Sequence, residues 1–257
     1  KVVLVNDTVT TMLAGKAGSA DRGYGGYLGF ILGTGTNICY LERNRNIVKK
    51  PELDPKGMQV INTESGNYSR VPLGSIDREF IAKTQFPEQH LLEKLVSGAY
   101  LGSLALLVLQ RAASEGLFGS EAAEGLRRLP GLSTEALHAF RIRPAGSGHP
   151  LGDALAGGRR EDRAMAYHLV DGLMERSAKL AAMTLSGGLL KSETGEDPCA
   201  PVCIVVEGSV FWGLRGMRQK VEYYLKSFLE EREGRYFDII QVENASLVGA
   251  AIASLTN

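Results

Sequence analysis
Apolar residues in this chain fall into two patterns: short unbroken runs, and longer stretches in which they recur at helical spacing. The run Val2-Val3-Leu4-Val5 shows no alternation and predicts a short strand covered on both faces, ending abruptly in Asn6-Asp7-Thr8. Positions 27–32 and 37–42 predict two further strands around the turn Gly33-Thr34-Gly35-Thr36, and 58–61 a third that delivers Asn62-Thr63-Glu64. Positions 201–206 and 236–242 read as strands separated by a helix at 215–231, a β-α-β unit that requires parallel pairing. Helical spacing predicts a short capped helix at 75–80 and one long helix from Pro87-Glu88-Gln89 to about Ser114. Shorter helices are expected at 120–129 and 132–140, one of almost thirty residues from Glu161 to Gly187-Gly188, and a small-residue helix at 245–255. Positions 9–14 could begin a helix that dissolves into a glycine-rich surface connection at 15–26, and 143–150 reads as a loop.

Composition narrows the class. With 257 residues, 44% of them hydrophobic, the chain can bury one sizeable core, in one domain or two unequal lobes. Lys plus Arg equals Asp plus Glu at 29 each, which removes any bulk electrostatic reason to expect nucleic acid or an anionic membrane as partner. No apolar run reaches the roughly 18 to 20 residues that span a bilayer, so a soluble protein is expected. Three cysteines fit no disulfide framework and point to a reducing compartment, the cytoplasm. Cys39 alternates within a strand as a small core residue, and Cys199 and Cys203 lack the partner pair or histidines of a zinc site. The sequence starts at Lys1 on a buried-type strand, without a methionine or signal-like segment, and reads as a piece of a longer protein.

Candidate chemistry gathers where these strands end. A carboxylate at the lip of a rigid strand suits a functional role for Asp7, but Asp7 or Thr8 equally suits the N-cap of the next helix. The Gly33–Thr36 turn lets an anion approach backbone N–H groups, yet plain hairpins also turn on glycine. Glu93 lies in the first turns of its helix, where the helix dipole favours a carboxylate whatever its function. His149, between glycine and proline, reads as a solvated loop histidine, and Met165, Met174 and Met183 as gap-fillers in the packing of their helix. There is no G-x-x-x-x-G-K-[ST] phosphate loop and no protein-kinase motif set.

Taken together, Val5-Asn6-Asp7-Thr8, Gly33-Thr34-Gly35-Thr36-Asn37, Ile61-Asn62-Thr63-Glu64 and Leu92-Glu93-Lys94-Leu95-Val96-Ser97-Gly98 resemble the hexokinase family in order, spacing and context. Glu207-Gly208-Ser209-Val210-Phe211 is similar to that family's DGS-aromatic element, so the resemblance spans most of the chain. It implies an α/β fold, the large lobe of an actin-like ATPase (ribonuclease H-like), with a mixed sheet flanked by helices. Residues 1–257 would be the large, C-terminal lobe, lacking the small lobe and the N-terminal phosphate loop.

The resemblance further implies ATP-dependent phosphorylation of a hexose, glucose or a similar sugar, at its 6-hydroxyl. Asp7 would be the general base, and Asn6, Asp7, Asn37, Glu64 and Glu93 would line the sugar site. Gly33, Thr34, Gly35 and Thr36 would lie against the nucleotide phosphates and Gly208 and Ser209 toward the adenosine, with Mg²⁺ held mainly through the nucleotide and no metal residue assigned. The lobe alone would be inactive or nearly so. A sugar sensor that binds hexose without catalysis, and a structural module that keeps only the fold, are the other readings. Three positions depart from the family pattern: Glu207 where Asp is usual, Ser65 where an aromatic is usual, and Asn244-Ala245-Ser246-Leu247 in place of a glycine-rich turn.

Overall fold
The computed structural model describes residues 2–19 and 21–256. In chain order the elements are α1 (Asp7–Gly18), β1 (Gly26–Leu32), β2 (Thr36–Arg43), β3 (Met58–Asn62), α2 (Ser75–Ala82), α3 (Leu91–Val96) and α4 (Leu101–Ser114). They continue with α5 (Ser120–Arg128), α6 (Thr134–Ile142), α7 (Pro150–Ala154), α8 (Arg160–Lys191), β4 (Val202–Glu207), α9 (Ser209–Gly213), α10 (Met217–Leu225), β5 (Phe237–Ile240) and α11 (Ala245–Thr256). The strands form one mixed sheet in the order β3-β2-β1-β4-β5. β3–β2 and β2–β1 are antiparallel, while β1–β4 and β4–β5 are parallel. β1, β3, β4 and β5 therefore all end at the same edge.

Side chains alternate across a strand, and here the alternation assigns each layer of helices its face. Gly29, Cys39 and Val205 are paired neighbours facing α1. A Cβ on Gly29 would stand 2.3 Å from the carbonyl oxygen of Thr8, so glycine is what lets the α1 backbone lie on the sheet. Leu28 and Ile38 face α8 instead, where Gly188 permits close approach to both. On that side α8 packs against α3, α4 and α10. Phe30, Leu28, Leu32, Leu95, Leu104 and Leu185 are fully buried in the resulting core, each worth about 1.5–3 kcal/mol relative to exposure. Cys39 and Cys203 are buried, Cys199 is exposed, and all three are free.

Several expected elements are corrected. Residues 2–6 form no strand: Val2 is 89% and Leu4 94% exposed, and they pair with none of the five strands. Apolarity alone does not make a strand, which needs a neighbour for its N–H and C=O groups. The helix at 9–14 runs from Asp7 to Gly18 and takes in the start of the predicted 15–26 connection; Ala20 within that connection lies outside the described residues. The long helix to Ser114 is two helices, broken at 97–100, because the Gly98 N–H donates to Gly33 O at 2.7 Å and the Ala99 N–H to Thr34 O at 3.2 Å. The glycine turn docks in that break.

α8 continues through Gly187-Gly188 to Lys191, its packing on the sheet outweighing glycine's low helix propensity. Met174 fills the core, but Met183 is 62% exposed and fills no gap. The helix expected at 215–231 opens at Met217 and ends in a π-helical turn, Lys226–Glu230. His149 is buried, not solvated: its Nδ1 accepts from the Gly152 N–H at 3.0 Å as the cap of α7, and its Nε2 meets Arg143 O at 3.1 Å. The remaining strand predictions, and the short helices at 75–80 and 120–129, agree with the structure to within a few residues at their ends.

Candidate functional site at the strand-end edge
At the common edge the chain leaves β1 into Gly33-Thr34-Gly35 and re-enters at Thr36, a tight antiparallel hairpin closed by Gly33 N–H to Gly35 O at 2.9 Å. The following turn, Gly208-Ser209 after β4, lies directly alongside. A Cβ on Gly33 would stand 3.2 Å from Gly208 Cα, and Gly208 has φ of 121°, which L side chains rarely adopt. Two bare backbone turns thus form a cradle that side chains would fill. Among the described residues the N–H groups of Thr34 and Gly35 have no hydrogen-bond partner, the condition for receiving an anion.

Around this turn a continuous polar chain is fixed. Asn37 Nδ2 donates to Asn62 Oδ1 at 2.6 Å, and Asn62 Nδ2 donates to Glu64 Oε1 at 2.6 Å. Asn37 Oδ1 accepts from the Ile38 N–H at 2.8 Å and the Ser65 N–H at 3.2 Å, which fixes the amide orientation. Glu93, in the first turn of α3, accepts the Thr36 N–H on Oε2 at 3.0 Å. A Cβ on Gly35 would come within 2.7 Å of that oxygen. His90, with Nδ1 3.8 Å from Glu93 Oε1, donates its backbone N–H to Asn67 Oδ1 at 3.2 Å and so ties the Glu64 loop to α3. Glu64 and His90 both hold positive φ, 51° and 55°. Such conformations cost on the order of 1–3 kcal/mol and concentrate at functional sites.

Asn6 and Asp7 stand apart from this chain, at the start of α1. The helix is capped, but by Asn6 and not by the expected Asp7 or Thr8: Asn6 Oδ1 accepts the Thr8 N–H at 2.9 Å, and Asp7, already the first helical residue, accepts the same N–H on Oδ1 at 2.8 Å. Capping does not use up Asp7. It is exposed, and among the described residues its Oδ2 accepts no hydrogen bond. One helical turn on, Thr11 Oγ1 lies 3.0 Å from Asp7 O and 2.9 Å from Glu207 Oε2, donating to one of them at a time. Ser246 Oγ at the start of α11 donates to the same Glu207 oxygen at 2.8 Å. Glu207 is thereby a brace between α1 and α11 at the end of β4.

Sequence reasoning singled out Asn37, Glu64 and Glu93, and the structure brings those three together. It missed Asn62, the amide that joins two of them, although its place beside Glu64 was the available signal. Also missed was a cavity of about 320 Å³ beside the glycine turn, lined by Thr34, Gly98, Ala99, Thr134, His138 and Ser209. Thr134, whose Oγ1 donates to Gly98 O at 2.7 Å and accepts the Gly102 N–H at 3.1 Å, comes from a separate helix that no local pattern connects to the turn. A more polar cleft of about 440 Å³ follows, between Glu207-Gly208-Ser209 and Gln241, Glu243 and Asn244. Among the described residues no group of three or more His, Cys, Asp or Glu side chains is placed to hold a metal, and no helix is long and apolar enough to cross a membrane.

The mixed sheet with helices on both faces is an actin-like ATPase fold, and solved structures agree. A hexokinase from Schistosoma mansoni complexed with glucose superposes with a TM-score of 0.79 at 22% identity, over 100% of this chain and 58% of that one. A glucokinase of the ROK family from Streptomyces griseus, in complex with glucose and AMPPNP, superposes with a TM-score of 0.53 at 15% identity over 100% of this chain and 69% of that one. In sequence, a family model described as hexokinase matches residues 27–256, and the chain belongs to the hexokinase family. Hexokinase-2 of Oryza sativa subsp. japonica is 32% identical over 97% of this chain and 52% of its own length. Hexokinase-2 of Arabidopsis thaliana is 29% identical over 99% of this chain and 52% of its own. The chain spans about half the length of the curated relatives it matches.

Proposed function
We propose that the full-length protein transfers the terminal phosphoryl group of ATP to a hexose, with glucose the expected sugar and its 6-hydroxyl the acceptor. The observation that carries this reading is the chain Asn37–Asn62–Glu64, set with Glu93 beside an uncluttered glycine turn at the end of a rigid sheet. Sugars are held by dense, directional hydrogen bonding, and amides with carboxylates supply donors and acceptors at fixed geometry. Asn6 completes that set from the start of α1. Asp7 takes the proton from the sugar hydroxyl through Oδ2, the oxygen that capping leaves free. A carboxylate already tied at one oxygen is held in place for its task.

The unpartnered Thr34 and Gly35 N–H groups and the close approach of Gly33 to Gly208 suit the phosphates of a nucleotide. The adjoining cavity bounded by Ser209, Ala99 and Thr134 suits its nucleoside end. Bound ATP with its magnesium supplies the phosphoryl group and the neutralising charge. Val2, Leu4, Leu247 and Leu255 are exposed, at 89%, 94%, 72% and 86%. In the full-length protein a second, smaller lobe covers these residues and closes over the sugar. The 257-residue large lobe by itself is then inactive, because closure excludes water and completes the phosphate contacts.

A second reading, a hexose sensor without turnover, is favoured by one observation. Glu207, standing where the family usually carries aspartate, is engaged by Thr11 and Ser246. The deciding experiment is a coupled ADP-release assay on the full-length protein with glucose, fructose and mannose, beside an Asp7→Asn variant. The substitution keeps an acceptor for the Thr8 N–H, so the helix cap survives. Turnover that falls by roughly 10²- to 10⁴-fold in the variant supports the kinase with Asp7 as its base. A folded full-length protein that binds glucose without releasing ADP is the sensor.

A further inference from the structure
A cavity of about 700 Å³ lies apart from the nucleotide turn and meets the polar chain of the strand-end edge only at Glu64. It opens on the α8 face of the sheet, beneath the loop at 63–72. Its apolar wall is built by Ile38 and Tyr40 of β2, Leu180 and Met183 of α8, Val71 and Leu92. The volume is in the range that takes a drug-sized organic molecule. Three further features point to what that molecule is. Ser65, standing where the family pattern expects an aromatic side chain, lines the cavity, and its buried hydroxyl has no hydrogen-bond partner. Arg70 lines it too and, among the described residues, makes no ion pair or hydrogen bond. Lys191 lies at the far end, more than half exposed, 3.6 Å from Glu42.

An apolar chamber with room left by a missing ring, one unsatisfied hydroxyl and an unpaired guanidinium is complementary to a flat apolar body that carries an anion. We infer that this cavity is a second ligand site, taking an aryl carboxylate or sulfonate whose ring system lies between Tyr40 and Leu180 and whose anion meets Arg70. Glu64 is the one carboxylate lining the cavity, and it is held toward Asn62 at 2.6 Å. The loop that roofs the cavity begins with Glu64, so occupancy bears on a residue of the strand-end edge. The site itself stands whether or not that edge binds a sugar.

The test uses 8-anilinonaphthalene-1-sulfonate, an aryl sulfonate whose fluorescence rises in apolar surroundings, titrated into the folded full-length protein. Saturable binding of one equivalent is expected. Ser65→Trp should abolish it by filling the chamber, and Arg70→Glu should weaken it at least tenfold by reversing the charge that meets the sulfonate. Arg128→Glu, a control on an exposed arginine of α5 remote from the cavity, should leave it unchanged. Arg70 is exposed on a loop, so its replacement keeps the test decisive even where the tryptophan variant fails to fold. Equal binding by wild type, Arg70→Glu and Ser65→Trp, or no saturable binding by the wild type, overturns the inference.

Discussion

Glu93 holds the glycine turn and, in the proposed function, also contacts the sugar, and one set of variants separates the two roles. Its Oε2 accepts the Thr36 N–H at 3.0 Å, at the point where β2 leaves the glycine turn, and its side chain is 21% exposed. Thr36 is buried, so removing the carboxylate strands an N–H that water does not reach. Hydrogen bonds to charged groups contribute about 1.5–3 kcal/mol, and partial exposure puts this one near the lower half, about 2 kcal/mol. Glu93→Ala should therefore lower the unfolding free energy by about 2 kcal/mol, a melting shift of about 4–8 °C for a chain of this size. Glu93→Gln keeps a carbonyl acceptor and should cost about half as much. Gly35→Ala acts differently: the new Cβ would stand 2.7 Å from Glu93 Oε2, the far end of a side chain that can move aside. Because that same oxygen accepts the Thr36 N–H, the displacement should cost about 2 kcal/mol as well, close to Glu93→Ala. Urea unfolding measures the first role and glucose titration of the full-length protein the second. Loss of one charged hydrogen bond to the sugar predicts affinity weaker by roughly 10- to 150-fold in all three variants. Stability of Glu93→Ala within about 0.5 kcal/mol of wild type refutes the structural role. Unaltered glucose affinity refutes the sugar role.

Glu207→Ala should destabilise by about 1.5 kcal/mol, because Ser246 loses its acceptor at Oε2 while the Thr11 hydroxyl can turn to Asp7 O. Glu207→Gln, with one carbonyl oxygen able to take that position, should lose about half of this, and chemical denaturation distinguishes the two. Asp162 couples stability to pH. The Gly119 N–H at 2.8 Å, and after it the Arg159 N–H at 2.8 Å, hold its carboxyl below the usual carboxylate range although burial would raise it. A group depressed in the folded state stabilises above its unfolded value, about 3.9, and that contribution is lost as pH falls through the lower folded value. Urea midpoints of wild type and Asp162→Asn should be separated at pH 7 and converge as pH drops below about 4. A constant separation down to pH 2 contradicts the assignment.

How much of this was legible in advance depended on whether the signal was local. Strands β1, β2 and β4 were readable because a strand buried in a sheet carries a run of apolar residues, as their centres do, and the edge strand β3 because Val60-Ile61 are β-branched. The parallel pairing of β4 and β5 followed from the helix between them. Asn37, Glu64 and Glu93 were named on family resemblance and lie within reach of one another through Asn62 and Thr36. The residues at 2–5 carry the same apolar signal as the true strands and form none, since nothing pairs with them. The break at 97–100 was invisible for the complementary reason: its cause is the glycine turn some sixty residues earlier, which takes the Gly98 and Ala99 N–H groups for its own carbonyls.

Spacing along the chain was enough to place the five strands, most of the longer helices and the polar residues at the strand ends, because those signals are local. Tertiary structure alone decided that His149 caps a helix, that Glu207 braces α1 against α11, and that Ser65 leaves a cavity over the sheet. Each of these depends on which distant backbone or side chain satisfies a buried polar group or fills a volume. That is settled only when the whole chain packs.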